Sequence, residues 1–116
     1  FAYINYFLYF CSAKLQNTNF MSKKTLDLIS AYFATKPINK AWLFGSYARG
    51  EQNRNSDIDI LVELQQGAKM GFAFAGMVCD LEDMLHKNVD LVVNGNLLPF
   101  AQETANRDKV LIYERN

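Results

Sequence analysis

Residues 57–64 alternate clearly between polar and apolar side chains, which constrains the fold more than any other segment. Successive side chains of a strand point to opposite faces of the sheet. One face of this segment is entirely apolar, with Ile58, Ile60, Val62 and Leu64. The other face carries Asp57, Asp59, Leu61 and Glu63. The segment is therefore predicted to be a strand with one buried face, which other elements must cover.

The rest of the chain predicts helices alternating with short strands. Helices are expected over about 23–35, 72–87 and 98–106, where apolar residues recur at helical spacing. Further strands are expected at 40–44, 88–93 and 110–113. A tight turn or helix start is expected at 46–50, and a polar loop at 50–56. The order α-β-β-α-β-α-β predicts a small mixed sheet covered by helices, of the α/β (α+β) class.

Length and composition narrow the classes of protein to consider. The chain has 116 residues, with 12 Lys and Arg against 12 Asp and Glu, and this length favours a single domain. A neutral balance gives no electrostatic basis for binding DNA or an anionic membrane. Cys11 and Cys79 have no metal-ligand spacing, and Cys79 lies in an apolar helical stripe that predicts a core position. We expect a reduced, cytoplasmic protein.

Residues 1–20 differ from the rest of the chain. They hold 7 of the 16 aromatic residues and no acidic residue, and Met21 then begins a segment resembling an ordinary protein start. The apolar run breaks at Ser12, too early for a membrane span of about 20 apolar residues. We interpret 1–20 as an upstream-translated or cloning-derived extension and 21–116 as the functional domain. An extra packing helix and a membrane or partner anchor are the alternatives.

Two carboxylates and a Gly-Ser pair form the first part of a candidate site. Asp57 and Asp59 leave the same face of one strand, about 6.5–7 Å apart at Cα, and a hard cation such as Mg²⁺ relieves their repulsion. Gly45 lets a phosphate approach the backbone, and Ser46 offers a hydroxyl and an N–H at a helix start. Arg49 can neutralise phosphate oxygens. The spacing favours a magnesium–phosphate site.

A third carboxylate, Asp90, lies on a separate predicted strand between Val89 and Leu91. An acid within such an apolar strand is costly unless it is paired, exposed or bound to metal. Three carboxylates on neighbouring strands, facing a phosphate-binding turn, suit phosphoryl or nucleotidyl transfer with two metal ions.

The segment from Leu43 to Gly50, followed by Ser56 to Val62, resembles the polymerase-β-like nucleotidyltransferase superfamily. The closest likeness is to its minimal nucleotidyltransferases, whose signature is Gly-Ser, ten residues and then Asp-x-Asp; here residues 47–56 are those ten. The resemblance implies a polymerase-β palm-like fold and a nucleotide bound at Gly45 and Ser46. It also implies metal ligation by Asp57 and Asp59, with Asp90 completing the site and helping to deprotonate the acceptor hydroxyl.

The resemblance also implies a partner. Minimal nucleotidyltransferases pair with HEPN toxins and act as antitoxins by moving AMP from ATP onto a tyrosine of the toxin. Since the chain has no room for an acceptor-binding domain, we expect a second protein to bring the acceptor, in a homo- or hetero-oligomer. Two alternatives stay open: an antitoxin that acts by occlusion without catalysis, and transfer to a small molecule such as an antibiotic.

Overall fold

Short helices and strands alternate along the chain. The computed structural model describes residues 21–94, 96 and 99–115. Its elements are α1 (Lys23–Ala34), β1 (Ile38–Phe44), α2 (Gly45–Arg49), β2 (Ile58–Leu64), α3 (Phe72–Leu85), β3 (Val89–Val93), α4 (Pro99–Asp108) and β4 (Val110–Glu114). All the predicted helices and strands are present, and α2 occupies the predicted turn or helix start. The interpretation of residues 1–20 lies outside the described residues.

The strands form one mixed sheet in the order β3-β2-β1-β4. β1 is antiparallel to β2 and to β4, whereas β2 and β3 are parallel. The parallel pair is connected through α3, because parallel neighbours need a crossover connection. This arrangement confirms the predicted mixed sheet with helices. It also brings the end of β1 and the starts of β2 and β3 to the same end of the sheet.

One face of the sheet packs against α1 and α3. The apolar residues of β2 at the start and middle of the predicted face, Ile58, Ile60 and Val62, are at most 2% exposed. The helices contribute Leu26, Ile29, Phe33, Met77 and Leu81 to the same core. Leu61, on the opposite face with Asp59, is also fully buried. Asp59 therefore borders apolar surface rather than projecting from an open sheet.

The core prediction for Cys79 is wrong, because this free thiol is exposed. The buried positions of α3 are Met77 and Leu81, each two residues from Cys79. Two residues correspond to about 200° around a helix, so Cys79 points away from the packed side. The helix is apolar on more of its circumference than the sheet covers, which is why the sequence alone misplaces this residue.

Candidate active site

Asp59 and Asp90 lie directly opposite each other on neighbouring strands. The parallel register of β2 and β3 pairs Asp59 with Asp90 and Ile58 with Val89. Adjacent strands are separated by about 4.8 Å, so the two carboxylates leave the same face of the sheet as neighbours. Asp57 precedes β2 by one residue and is exposed at the same end of the sheet. The structure thus brings together the three acids that the sequence predicts.

Gly45 holds the end of β1 close to these acids. Its φ is +69°, in the left-handed region that favours glycine. A Cβ built on this residue would lie 2.2 Å from Oδ2 of Asp59, closer than any real contact. The neighbouring residue, Phe44, is the register partner of Asp59 across the β1–β2 pair. The positive φ and the lack of room for a Cβ beside Asp59 therefore both require glycine at this position.

Ser46 lies at the start of α2 and is partly exposed. Its carbonyl accepts the N–H groups of Gly50 and Glu51, the latter at 2.9 Å, which closes the five-residue helix. Gly50 makes this possible by adopting φ +72° at the helix end. These bonds fix the backbone of Ser46 beside Gly45, so the Gly-Ser pair is a rigid turn facing the carboxylate end of the sheet.

The electrostatics of Asp59 reflect this crowding. Burial, followed by the charges of Asp90 and Asp57, raises the pKa of Asp59 to about 6, while Arg49 acts in the opposite direction. Removal from water disfavours the charged form, and like charges add to the same effect. Asp90 and Asp57 are therefore close enough to disfavour the charge of Asp59, and a bound cation would relieve this.

The donor set fits a hard cation such as Mg²⁺, because all three side chains offer carboxylate oxygens. Within the described part of the chain, however, no three His, Cys, Asp or Glu side chains are already placed to hold a metal ion. Asp57 and Asp90 are both exposed, so the final convergence on a cation rests on their side chains. The backbone places the three acidic residues near one another, but their side chains would have to rotate to bring the carboxylate oxygens around one ion.

Arg49, predicted to contact phosphate, makes two ion pairs. Its Nε lies 2.8 Å from Oε1 of Glu51, and a second nitrogen lies 3.6 Å from Oδ2 of Asp108. The hydrogen bond to Glu51 is the main cause that raises the pKa of Arg49. The pair with Asp108 joins α2 to the end of α4. Phosphate binding by Arg49 stays a prediction. To bind phosphate, the guanidinium would have to leave Glu51 and Asp108 or contact the phosphate in addition to them.

Two features of this region have no signal in the sequence. Gln52, in the predicted polar loop, is only 8% exposed, and neither end of its amide has a hydrogen-bond partner. Asp108, two residues beyond the helix predicted over 98–106, ends α4 and contacts Arg49. Both depend on how distant segments pack, which spacing along the chain does not reveal.

Paired strand carboxylates beside a glycine-anchored helix start are an arrangement suited to phosphoryl transfer. The family model for "Polymerase beta, Nucleotidyltransferase" matches residues 27–116, and the chain belongs to that family. The activity class expected from the sequence, a nucleotidyltransferase, is thereby confirmed.

Relatives and solved structures agree with this assignment. A Methanocaldococcus jannaschii protein named as a protein adenylyltransferase is 32% identical over 75% of this chain and 88% of its own. The protein adenylyltransferase MntA of Thermococcus cleftensis is 33% identical over 65% of this chain and 75% of its own. A structure described as a minimal nucleotidyltransferase has a TM-score of 0.65 and 28% identity, covering 76% of this chain and 89% of the other.

The fold also matches an antitoxin in a complex. A structure of a tri-AMPylated Shewanella oneidensis HEPN toxin with its MNT antitoxin has a TM-score of 0.63 and 20% identity, covering 82% of this chain and 74% of the matched one. At that identity the likeness concerns the fold.

Proposed function

We propose that this protein is a Mg²⁺-dependent protein adenylyltransferase that transfers AMP from ATP to a hydroxyl of a partner protein. The observation that carries the proposal is the register of β2 and β3, which sets Asp59 against Asp90 beside Gly45. Relatives named as protein adenylyltransferases support the choice of a protein as acceptor.

Each residue has a defined part in this proposal. Gly45 and Ser46 hold the β- and γ-phosphates at the start of α2, and Arg49 adds positive charge there. Asp57 and Asp59 hold Mg²⁺, and Asp90 completes a site for two ions. When bound, Mg²⁺ neutralises charge on the phosphates and lowers the pKa of the attacking hydroxyl. The chain itself supplies positioning, which accounts for much of the rate in phosphoryl transfer.

The proposed chemical step is a substitution at phosphorus. The acceptor oxygen forms a bond to the α-phosphorus of ATP, and the bond from that phosphorus to the bridging α–β oxygen breaks. Pyrophosphate leaves with the electron pair, and the carboxylate of Asp90 takes the proton of the acceptor hydroxyl. The products are the AMP ester of the acceptor and pyrophosphate.

We infer that the partner is an HEPN-type toxin and that this chain is its antitoxin. The support comes from the Shewanella oneidensis complex, in which the HEPN toxin carries AMP and the MNT antitoxin shares this fold.

Among the described helices none is long and apolar enough to cross a membrane. We propose the cytoplasm as the site of action, where an exposed free thiol such as Cys79 stays reduced.

The proposal is tested by incubating the purified protein with α-labelled ATP, Mg²⁺ and the HEPN protein encoded beside it. We expect label on the HEPN protein, and a loss of at least 100-fold in Asp57→Asn. Asp83→Asn, which removes an exposed acid from α3, is the matched control and should label at the normal rate. Absence of label, or equal labelling by Asp57→Asn, would refute the proposal.

A further inference from the structure

A groove lies beside Asp57, at the end of the sheet where β2 and β3 begin. It consists of two neighbouring depressions of about 650 and 630 Å³ that share Arg54, His86 and Lys87. The second depression is lined by Asp57 itself and extends to Asn88, just before β3. We call the two together the Arg54 groove. A segment bound in the second depression would touch Asp57, one of the residues assigned to the metal site.

The position of the groove matches the geometry of the reaction. In an in-line displacement the attacking oxygen and the leaving oxygen lie on opposite sides of the phosphorus. The sheet order β3-β2-β1-β4 places Gly45, at the end of β1, on one side of Asp59. The second depression of the Arg54 groove, between Asp57 and Asn88, lies on the other side, at the start of β3, whereas the first extends along α1 and is lined by Tyr47 of α2. If pyrophosphate leaves at Gly45, the acceptor hydroxyl enters from the side of the second depression.

The charge of the groove indicates what it binds. Its described lining includes the cationic side chains of Lys24, Arg54 and Lys87. The carboxylates among its lining residues are Asp57 and Glu82. Glu82 and Lys87 are both engaged with the backbone, since Oε2 of Glu82 accepts the N–H of Val89 at 3.0 Å and Nζ of Lys87 donates to the carbonyl of Arg54. Asp57 is assigned to the metal. The charged side chains left to meet a partner are Lys24 and Arg54, and they complement an acidic polypeptide.

The groove also has apolar surface and a fixed wall. Leu28, 43% exposed, lines it together with Met84 and Leu85. Nζ of Lys87 donates to the carbonyl of Arg54 at 3.0 Å, which fastens the loop before β2 to the end of α3. A groove that is fastened in this way is preformed, so it can bind a partner segment without first having to fold.

We propose that the Arg54 groove binds an acidic segment of the acceptor protein and presents its hydroxyl to the reaction centre from the β3 side. This inference rests on the proposed protein adenylyltransferase function and adds the surface that selects the acceptor. Rim charges of this kind act mainly on recognition and on the association rate, so their loss weakens use of the acceptor rather than use of ATP.

The test uses two charge reversals, Arg54→Glu and Lys24→Glu, in the full chain. Both residues are exposed, and neither is placed in the metal or phosphate site. Lys69→Glu is the matched control, because Lys69 is exposed beyond the far end of β2 and gives the same change in net charge. Steady-state transfer gives KM for the HEPN protein and for ATP, and calorimetry gives the Kd of the HEPN protein without ATP.

We expect each groove variant to raise the KM and Kd of the HEPN protein on the order of tenfold. The KM for ATP should stay within twofold, and Lys69→Glu should match the unmodified protein. A charge reversal of one acidic residue on the HEPN protein should restore binding to a groove variant. Unchanged KM and Kd for the HEPN protein, an equal effect of Lys69→Glu, or a raised KM for ATP alone would each overturn the inference.

The failure of the groove inference is distinguishable from failure of the proposed function. If the unmodified protein transfers no label, the function fails, while the calorimetric titration still decides whether the groove binds the partner. If label is transferred normally by both groove variants, only the groove inference fails. Far-ultraviolet circular dichroism checks that each variant is folded, and Arg54→Ala provides a milder change should a reversal unfold the protein.

Discussion

Gly45 affects both the path of the backbone and the candidate site. Its positive φ permits the turn out of β1, and its missing side chain leaves room for Asp59. The proposed phosphate-binding role of Gly45 would account for glycine at this position of the motif. The structure adds a second reason, because the carboxylate of Asp59 occupies the position that a Cβ of residue 45 would need.

Gly45→Ala should therefore damage both stability and activity. The new Cβ would have to displace the Asp59 carboxylate and adopt an unfavourable φ, at a cost of about 2 kcal/mol in the free energy of unfolding. Urea denaturation measures the stability, and the labelling assay measures transfer. The control is Gly76→Ala in α3, where nothing lies within 4 Å of the added Cβ. It should stabilise the protein by up to about 1 kcal/mol, and equal effects of the two variants would contradict this account.

Asp59→Asn should stabilise the metal-free protein at neutral pH. The pKa of Asp59 is about 6 in the folded state and about 4 when unfolded. The folded state thus binds the proton more tightly, and this group's contribution to stability falls as the pH rises from 4 to 6. The gain from Asn is expected to be about 1 kcal/mol at pH 7, discounted because the side chain is partly exposed to solvent.

The pH dependence distinguishes this effect from a general gain in stability. Near pH 3 the carboxyl is mostly protonated in both states, so the difference between Asp59→Asn and the unmodified protein should nearly disappear. Thermal unfolding in EDTA at about pH 3 and pH 7 measures it. A difference that is the same at both pH values would show that charge repulsion at Asp59 is not its cause.

At the scale of elements, Arg115 connects the last strand to the first helix. Its Nε donates to the carbonyl of Ile38 at 3.0 Å, and a terminal nitrogen donates to the carbonyl of Lys36 at 2.7 Å. The same nitrogen also reaches the carbonyls of Phe33 and Ala34, at 3.3 Å each. Phe33 and Ala34 belong to the last turn of α1, so the guanidinium adds hydrogen bonds at the end of the helix, where a positive charge interacts favourably with the helix dipole.

Arg115→Ala should lower the free energy of unfolding by about 2 kcal/mol, since several charge-assisted hydrogen bonds are lost. For a domain of this size the loss corresponds to a fall in Tm of about 10 °C. Arg115→Lys keeps the charge but not the planar geometry and should recover only part of the loss. Calorimetry measures all three proteins, and a Lys variant as stable as Arg would show that charge alone suffices.

The helices and strands also show which features of the fold can be predicted from the spacing of residues along the sequence and which cannot. The alternation of β2 and the helical period of α1 predict their positions, because each follows from a local repeat. The strand context of Asp90 predicts its neighbourhood, but the register that sets it opposite Asp59 depends on pairing across 30 residues of chain. The ion pair between Arg49 and Asp108 and the Arg115 contacts lie outside sequence reasoning for the same reason.

Local irregularity explains the remaining differences. β1 begins at Ile38 rather than residue 40, and the register with β2 shifts between Ile38 and Lys40. A bulge interrupts the alternation that would signal a strand, so its first residues are not recognisable in the sequence. The exposed Cys79 is the converse case, in which an apolar helix predicts more burial than its neighbours provide.

At the scale of the whole molecule, the proposed metal site would link the stability of the fold to the binding of substrate. The three carboxylates lie at the starts of β2 and β3, beside the end of β1, so an ion bound among them would join two strands of the sheet. A ligand that binds only the folded state raises its stability by about 2.7 kcal/mol at one hundred times its Kd. Mg²⁺ and ATP together should thus stabilise the entire domain rather than one loop.

We therefore expect the Tm of the unmodified protein to rise by about 10 °C in saturating Mg²⁺ and a non-hydrolysable ATP analogue, since 1 kcal/mol corresponds to about 4–8 °C in a domain of this size. Asp57→Asn should lose most of this rise, whereas Asp83→Asn, on the exposed side of α3, should retain it. Differential scanning calorimetry with and without EDTA measures the shift. Equal shifts in both variants would mean that the nucleotide binds without the strand carboxylates, and the site assigned to Asp57, Asp59 and Asp90 would then be wrong.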